Sequence, residues 1–241
     1  MQTGLYVAVS SQMALEKRMN TLADNVANAN TVGFRATEVK FNQLIGDNKP
    51  AQVSFVSQGK EFLNTNNGGL NRTGNTLDFA IKGDAWFSVE TPGGPALTRD
   101  GRFTLTETGD LVTLKGYPVL DAGGAPIQIT DGNSPIEVGA DGSIHQNGTQ
   151  VAAFGLYEAD FSNGFSRYGN GAVFPSSAPE PVVDRFGVGV AQGYVEESNV
   201  NPVQEMSQLI MVSRAFENIS ALMRDSEGSV EEAIKTLGGA K

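Results

Sequence analysis

A seven-residue spacing of apolar side chains at both ends of the chain constrains the fold most. Near the N-terminus, one series starts at Leu5 and a second series, offset by three residues, starts at Ala8. Such spacing places the side chains along one helix face, as in the a and d positions of a coiled coil. The two series are Leu5, Gln12, Met19 and Val26, and Ala8, Leu15, Leu22 and Ala29. The N-terminal end is therefore predicted to be an amphipathic helix of about 25 residues, about 38 Å long.

The C-terminal end repeats this pattern more strongly. Its two series are Leu209, Phe216, Met223, Val230 and Leu237, and Val212, Ile219, Ser226 and Ala233. Asn201 can cap the start of the helix, with Pro202 at the first helical position and Gln204 completing a capping box. Gly238 and Gly239 are predicted to end the helix in the left-handed conformation. A strict seven-residue stripe implies left-handed supercoiling against partner helices.

The residues between the two helices have β character. Turn signals recur at short intervals, for example at Thr91–Pro95, Asp121–Gly124, Thr130–Asn133 and Ala140–Ser143. Short runs rich in β-branched and aromatic residues lie between these signals, which predicts a small antiparallel sandwich or barrel. Residues 31–80 are rich in Asn, Gln, Thr and Gly, and they are interpreted as extended or loop-like.

The predicted fold is α+β. The long N- and C-terminal helices are expected to pack as a coiled-coil-like pair, with a mainly antiparallel β-domain inserted between them. The predicted division is 1–30 and 200–241 for a terminal helical domain, 31–80 for an extended linker region, and 81–199 for a β-rich outer domain. The C-terminal helix carries apolar residues beyond its main stripe, so its apolar surface is wider than one partner helix would cover. That width indicates contacts with other chains.

Composition argues against several classes of function. The formal net charge is −10, which disfavours nucleic-acid binding because that needs clustered Lys and Arg. The absence of Cys excludes a disulfide framework and a thiolate nucleophile. No apolar run approaches the roughly 20 residues needed to span a bilayer, so no direct membrane insertion is expected. The first residues lack the basic region and cleavage site of a secretory signal peptide, so any export is expected to use another route.

Candidate catalytic groups are sparse. The only histidine, His145, lies between turn signals and is interpreted as a surface residue. Glu196 and Glu197 precede a helix cap, where negative charge suits the helix dipole, and are interpreted as solvated or inter-subunit charges. Trp86, the only tryptophan, is interpreted as a core residue of the β-domain. The sequence therefore predicts no catalytic site, no metal site and no cofactor.

The blocks Asn20–Arg35, Thr73–Phe87 and Gly193–Glu217 carry a known pattern, and together they resemble the flagellar rod and hook family. The N-terminal signature of that family is matched by Asn20, Asn25, Val26, Ala27, Asn28, Asn30, Thr31, Gly33, Phe34 and Arg35. Thr73–Phe87 resembles the start of the family's β-domain, and Gly193–Glu217 resembles its C-terminal signature. The blocks follow the family's order and together cover the architecture of nearly the whole chain.

The resemblance implies a structural subunit of the flagellar axis, with terminal helices that form an inner tube and β-domains outside it. Such subunits are exported unfolded through the flagellar type III apparatus without a cleaved signal. The modest β-domain and the sequence around Trp86 favour the proximal rod, in the part of the basal body that crosses the periplasm. The implied partners are other proximal and distal rod subunits and, transiently, the export apparatus. A distal-rod or hook-type axial protein and a secreted β-rich cell-wall hydrolase are the alternatives.

A predicted assembly interface follows from the resemblance and the helical stripes. The amides of Asn25, Asn28 and Asn30 are expected to hydrogen-bond across subunit contacts and fix their register without burying a charge. Gly33 is expected to end the first helix in a left-handed turn, and Phe34 to anchor the exiting chain. The remaining predicted interface residues are Leu5, Leu15, Met19, Leu22, Val26, Asn199, Asn201, Leu209, Val212, Phe216, Ile219, Met223 and Val230.

Overall fold

The computed structural model describes residues 2–46, 53–57, 59–129, 134–169, 171–183 and 187–239, with the side chains of residues 2, 3, 43–46, 53–55 and 230 outside that description. The chain divides into two compact units. We call the first the helical unit; it comprises Met1–Ala27, Thr37–Glu61 and Asn201–Lys241. We call the second the β unit; it comprises Asn28–Ala36 and Phe62–Val200.

The C-terminal helix, α2, spans Pro202–Gly238 and begins as predicted. Asn201 has extended backbone angles, and its side-chain oxygen accepts a hydrogen bond from the first turn, which satisfies a free N–H group there. The helix ends differently. Gly239 has φ −91° and donates its N–H to the carbonyl of Lys235, so the predicted left-handed ending is wrong. The helical hydrogen-bond pattern simply continues to that point.

The N-terminal helix, α1, spans Gln2–Ala27. It therefore ends ahead of Gly33, and the expectation that Gly33 itself ends the helix is wrong. Two turns follow instead, in which Thr31 N–H donates to the carbonyl of Asn28 at 3.0 Å and Phe34 N–H to that of Thr31 at 3.2 Å. These local turns satisfy backbone groups that would otherwise continue the helix.

Side-chain contacts show that α1 and α2 run antiparallel within the helical unit. Gln12 Nε2 donates to Ser220 Oγ at 3.3 Å, and Arg18 Nη2 donates to Gln208 Oε1 at 3.4 Å. Residue numbers thus rise along α1 as they fall along the facing part of α2. The helices contact each other directly, whereas their coiled-coil-like packing stays a prediction.

Short strands complete the helical unit. They are β1 (Thr37–Lys40), β2 (Gln43–Gly46), β3 (Val53–Val56) and β4 (Lys60–Leu63), the last two residues of β4 belonging to the β unit. β2 and β3 pair antiparallel, and α1 contacts β1 and β3. The segment interpreted as extended or loop-like thus contains regular strands. The division at 31–80 stays a prediction.

The β unit is built from short strands whose described pairings are antiparallel, as predicted. The strands are β5 (Leu70–Arg72), β6 (Phe79–Lys82), β7 (Trp86–Thr91), β8 (Gly94–Thr98), β9 (Phe103–Leu105), β10 (Leu111–Thr113), β11 (Ile136–Val138), β12 (Ser143–Gln146), β13 (Thr149–Ala153), β14 (Leu156–Glu158), β15 (Phe165–Tyr168), β16 (Ala172–Pro175), β17 (Glu180–Pro181), β18 (Gly189–Gln192) and β19 (Tyr194–Glu196).

One six-stranded sheet, in the order β15-β16-β8-β7-β14-β17, organises the β unit. A three-stranded sheet, β11-β12-β13, and the pairs β10-β9, β18-β6 and β19-β5 lie around it. The turn signal at Thr91–Pro95 closes β7 onto β8, and the signal at Ala140–Ser143 closes β11 onto β12. The signal at Thr130–Asn133 lies outside the described residues.

Aromatic side chains form the centre of the β unit. Phe79, Phe87, Phe103 and Phe154 are buried, and their closest pair of ring centroids is 5.0 Å apart. Tilted and edge-on ring pairs at such distances add to the roughly 1.5–3 kcal/mol gained by burying each side chain. Trp86 belongs to a second buried cluster, so the prediction that it is a core residue is confirmed.

Neither described helix has a stretch long and apolar enough to cross a membrane.

Candidate functional site

The inward face of the helix pair carries most of the predicted stripe. Leu22 on α1 and Val212 on α2 are buried. Leu5 is exposed, and the side chain of Val230 lies outside the described residues. Seven further stripe residues are half-buried: Leu15, Met19, Val26, Leu209, Phe216, Ile219 and Met223. The stripe residues near the end of α2, Ser226, Ala233 and Leu237, are exposed. As far as Met223 on α2, the seven-residue pattern therefore coincides with the less exposed face of each helix.

Other large apolar side chains of the helical unit are exposed, and they include the stripe residues Leu5 and Leu237. On α1 they are Leu5, Tyr6, Val9 and Met13, and on α2 they are Val203, Met206, Ile210, Met211, Leu222, Ile234 and Leu237. Val203 is 74% exposed and Leu237 is 83% exposed. Exposed large apolar side chains in such number on two neighbouring helices are typical of a protein-binding surface. We call these eleven residues the outer helical face.

α2 projects past the start of α1, and part of the outer helical face lies on this projecting end. α2 has 37 residues and α1 has 26. Because Gln12 faces Ser220, the last roughly ten residues of α2 lie beyond the first turn of α1 at 1.5 Å per residue. Ile234 and Leu237 are in that extension. The extension leaves them without an α1 residue opposite.

Asn25 has its amide occupied inside the helical unit. Its Oδ1 accepts from Thr37 N at 2.9 Å, and its Nδ2 donates to Thr37 O at 2.9 Å and to Glu205 Oε2 at 3.1 Å. The residue is buried, and these bonds join α1, β1 and the first turn of α2. The geometry therefore gives Asn25 a role within one chain, and a bridge between subunits stays a prediction.

The other two signature asparagines differ in environment. Asn28 Oδ1 accepts a hydrogen bond from Thr31 Oγ1 at 3.1 Å, within the turn that follows α1. Asn30 is exposed. Of the three amides, that of Asn30 is thus the most accessible to another chain.

Gly33 occupies a position that excludes a side chain. Its φ is +68°, in the left-handed region, and it donates its N–H to the carbonyl of Glu196 at 2.7 Å. A Cβ atom would lie 2.3 Å from the backbone nitrogen of Asp100 and 2.4 Å from the carbonyl carbon of Arg99. Two independent requirements, a left-handed conformation and a close backbone approach, therefore demand glycine here.

Asn199 joins two segments of the β unit. Its Oδ1 accepts from the backbone N–H of Ala36 at 2.7 Å, and its Nδ2 donates to the carbonyls of Asn64 and Asn66 at 3.0 and 2.8 Å. Beside it, Phe34 is buried with Ala36 and Val200, and the guanidinium of Arg167 lies 4.4 Å from the Phe34 ring. The N- and C-terminal signatures thus pack against each other.

Three buried charges lie next to this contact. Glu196 Oε1 is 2.7 Å from Arg35 Nη2, and Glu196 Oε2 is 3.0 Å from Arg99 Nη1. The side chains are only 1–2% exposed. The interpretation of Glu196 as a solvated or inter-subunit charge is therefore wrong: β19 turns its carboxylate into the β unit, where two guanidiniums compensate it. Glu197, the next residue, is exposed. We call Arg35, Arg99 and Glu196 the charge cluster.

Further hydrogen bonds hold the charge cluster. Arg35 donates to the carbonyl of Asn66 and to Asn67 Oδ1, and Arg99 Nη2 donates to the carbonyl of Gly83 at 2.7 Å. Burial lowers the pKa of Arg35 to about 10, with Glu196 raising it and Arg99 lowering it. Burial also lowers the pKa of Arg99. Arg35 remains cationic at neutral pH, so the cluster holds two cations and one carboxylate.

Trp86 lies beside both guanidiniums. Its ring centroid is 5.7 Å from Arg35 Cζ and 5.2 Å from Arg99 Cζ. The electron-rich face of an indole attracts a cation at this distance. That attraction helps to offset the cost of burying the Nε atoms of the two arginines, which have no hydrogen-bond partner. The sequence contains no signal that unites these residues, since Arg35, Arg99 and Glu196 lie in three separate segments of the chain.

Within the described part of the chain, no group of three or more His, Cys, Asp or Glu side chains could hold a metal ion. His145 lies in β12 and is half-buried. Two features of the described residues remain as candidates for function: the outer helical face, and the contact between the two signatures.

Comparison with known proteins agrees with this arrangement. Residues 5–35 match the flagella basal body rod protein family, residues 80–146 the flagellar hook protein FlgE/F/G D1 domain, and residues 191–235 the flagellar basal body rod FlgEFG protein C-terminal family. Over 241 residues, the chain is 75% identical to the flagellar basal-body rod protein FlgF of Rhizobium meliloti (strain 1021), covering 100% of both chains. The chain belongs to the FlgF family of flagellar basal-body rod proteins.

Two further relatives show how far the similarity reaches. The FlgF rod protein of Mesorhizobium japonicum is 59% identical over 238 residues, covering 99% of each chain. The FlgG rod protein of Bacillus subtilis (strain 168) is 28% identical over 263 residues, covering 97% of this chain and 98% of the relative. The predicted membership of the rod and hook family is thereby confirmed. Each residue of the charge cluster comes from a different one of the three family-matched segments.

Proposed function

We propose that this protein is a structural subunit of the proximal rod of the bacterial flagellar basal body. Subunits would assemble helically through α1 and α2 to form the drive shaft and the export channel. The observation that carries the proposal is the outer helical face, which presents large apolar side chains that one chain does not bury. The FlgF relatives are named as flagellar basal-body rod proteins, and neighbouring subunits of a rod would cover such a face. The higher identity to FlgF than to FlgG relatives supports the proximal position over the distal one.

The predicted interface residues take two roles in this proposal. The inward stripe, from Leu15 to Met223, would hold the helix pair, and the outer helical face would contact neighbouring subunits. Asn25, Gly33, Phe34 and Asn199 would act indirectly, by fixing the chain path at the signatures. Leu5 and Asn30 would contact neighbours directly because both are exposed. Asn201 would act by capping α2.

Further parts of the proposal concern partners, domains and location. The partners would be other proximal and distal rod subunits, with transient contact to the flagellar type III export apparatus. The chain would travel unfolded and without a cleaved signal, and the assembled rod would cross the periplasm. Residues 1–30 and 200–241 would form the inner tube, 31–80 a linker region and 81–199 the outer domain. Rigidity comes from packed helices and sheets, so we infer that the protein acts without catalysis.

Deletion of the gene tests the proposal. Basal bodies purified from the deletion strain are imaged by electron microscopy, with the wild-type gene restored as the control. We expect the rod to be missing or to stop short of its distal segment. A complete rod without a hook would move the protein outward along the axis, and complete, motile flagella would refute a rod function.

A residue-level test addresses the outer helical face. Leu222→Glu places a charge on that face, and Val183→Glu makes the same kind of change at an 88% exposed position of the β unit. We expect Leu222→Glu to abolish swimming while the protein remains folded by circular dichroism, because a charge cannot be buried there without a partner. Val183→Glu is expected to swim normally. Equal swimming by both variants would show that the face is not buried in the rod.

A further inference from the structure

The charge cluster restricts the order in which parts of the β unit can fold. Arg35 and Arg99 bring two positive charges into a nearly water-free region, and both form their ion pair with Glu196. Without Glu196 in place, two like charges would lose their water with only the weaker attraction of Asp84 to compensate them. A buried charge that lacks its partner is strongly unfavourable. The region around Trp86 therefore cannot lose its water until the carboxylate is present.

Glu196 arrives from far along the chain. It lies 97 residues from Arg99, and 128 residues from Gly68, whose N–H donates to Glu196 Oε1 at 2.8 Å. Contacts between residues so distant in sequence form slowly, because closing a long loop costs entropy before the contact stabilises anything. The hairpins of the β unit, such as β7 with β8, need no such closure.

Docking of the segment around Glu196 completes several contacts together. Gly33 N–H reaches the Glu196 carbonyl at 2.7 Å, and Glu197 N–H reaches the carbonyl of Gly69 at 2.8 Å. β19 pairs with β5 in the same step, with Val195 opposite Asn71. One short segment thus ties the N-terminal signature and the residue 66–72 region to the rest of the β unit.

We propose that the charge cluster is a latch that closes last during folding. The hairpins of the β unit form first, and the region around Trp86 becomes dry only when residues 193–200 dock. A chain that has not yet delivered these residues would therefore keep this part of the β unit open. This inference concerns folding of one chain and does not depend on assembly into a rod.

The protein carries its own reporter for this step, since Trp86 is its only tryptophan. Full-length protein is unfolded in urea for about ten seconds, too briefly for much proline isomerisation, and is then refolded at low concentration. Far-ultraviolet circular dichroism follows secondary structure, and fluorescence follows Trp86. We expect the main fluorescence change to be at least about tenfold slower than the main dichroism change. Coincident changes in the wild-type protein would overturn the proposal.

Glu196→Gln removes the charge that the latch needs, and Glu197→Gln is the matched control at the neighbouring exposed position. If the latch forms after the main folding barrier, Glu196→Gln should raise the unfolding rate about 100-fold and change the folding rate of the dichroism phase less than about threefold. Glu197→Gln should leave both rates within about threefold of wild type.

An early role for the cluster would look different. Glu196→Gln would then slow the dichroism phase by the same large factor by which it weakens stability, and the proposal would be overturned. Should Glu196→Gln fail to fold, Glu196→Asp, which keeps the charge on a shorter side chain, is measured in the same way. The two-probe comparison on the wild-type protein needs no variant and decides the order of events by itself.

Discussion

Replacing Gly33 with alanine should destabilise the β unit for two separate reasons, one conformational and one steric. The left-handed conformation at φ +68° costs an L-residue about 1–2 kcal/mol. The added Cβ would also lie 2.3 Å from the backbone nitrogen of Asp100, and relieving such overpacking costs about 1–3 kcal/mol. We therefore expect the Gly33→Ala variant to lose about 2–5 kcal/mol of unfolding free energy.

Gly74→Ala is the matched control. Gly74 has φ +75°, but a Cβ there would meet no atom within 4 Å, so only the conformational cost of about 1–2 kcal/mol applies. Both variants and the wild type are unfolded in urea while Trp86 fluorescence is recorded. The free energies of unfolding are compared with one m value, the dependence on urea concentration, for all three proteins. If Gly33→Ala lost no more than Gly74→Ala, the close approach to residues 99 and 100 would not constrain the fold, and the assignment of Gly33 to backbone packing would be wrong.

Three other substitutions test separate parts of the structure. Asn25→Ala should cost about 2–4 kcal/mol in thermal unfolding because both backbone groups of Thr37 lose a buried partner, whereas Asn30→Ala should stay within about 0.5 kcal/mol. Phe87→Ala should cost about 3–5 kcal/mol by opening a cavity in the aromatic core, and a change in melting temperature no larger than that of a surface variant would contradict this. Asn201→Ala should cost about 1 kcal/mol of α2 stability, measured by far-ultraviolet circular dichroism, while Asn201→Ser should be nearly neutral.

The sequence determined the architecture of this protein at the level of elements. Apolar residues every seven positions indicate long helices, because that spacing places them on one face of a helix. Asn201 followed by Pro202 located the start of α2, since a side-chain acceptor and a fixed φ favour a helix start. Turn residues between β-branched runs indicated antiparallel strands, for the same local reason. Each of these signals is contained in a few consecutive residues.

The signatures also indicated the family, but their chemistry was only partly predictable. Gly33 was expected in the left-handed region and is found there. Its role differs from the predicted helix ending, because Gly33 allows the close approach of Arg99 and Asp100. That contact joins distant segments, so no local sequence pattern predicts it. The amide of Asn25 likewise meets Thr37 and Glu205 only after two segments pack against α1.

Only the tertiary structure decided the fate of the charged residues. In sequence, Glu196 and Glu197 are equivalent neighbours ahead of a helix, and local reasoning treats them alike. Glu196 is the last residue of β19 and its side chain is buried, whereas Glu197 follows the strand and is exposed. The buried carboxylate is tolerated because Arg35 and Arg99 reach it from separate parts of the chain. Burial and charge pairing depend on which distant segments meet, and that information is absent from any short stretch of sequence.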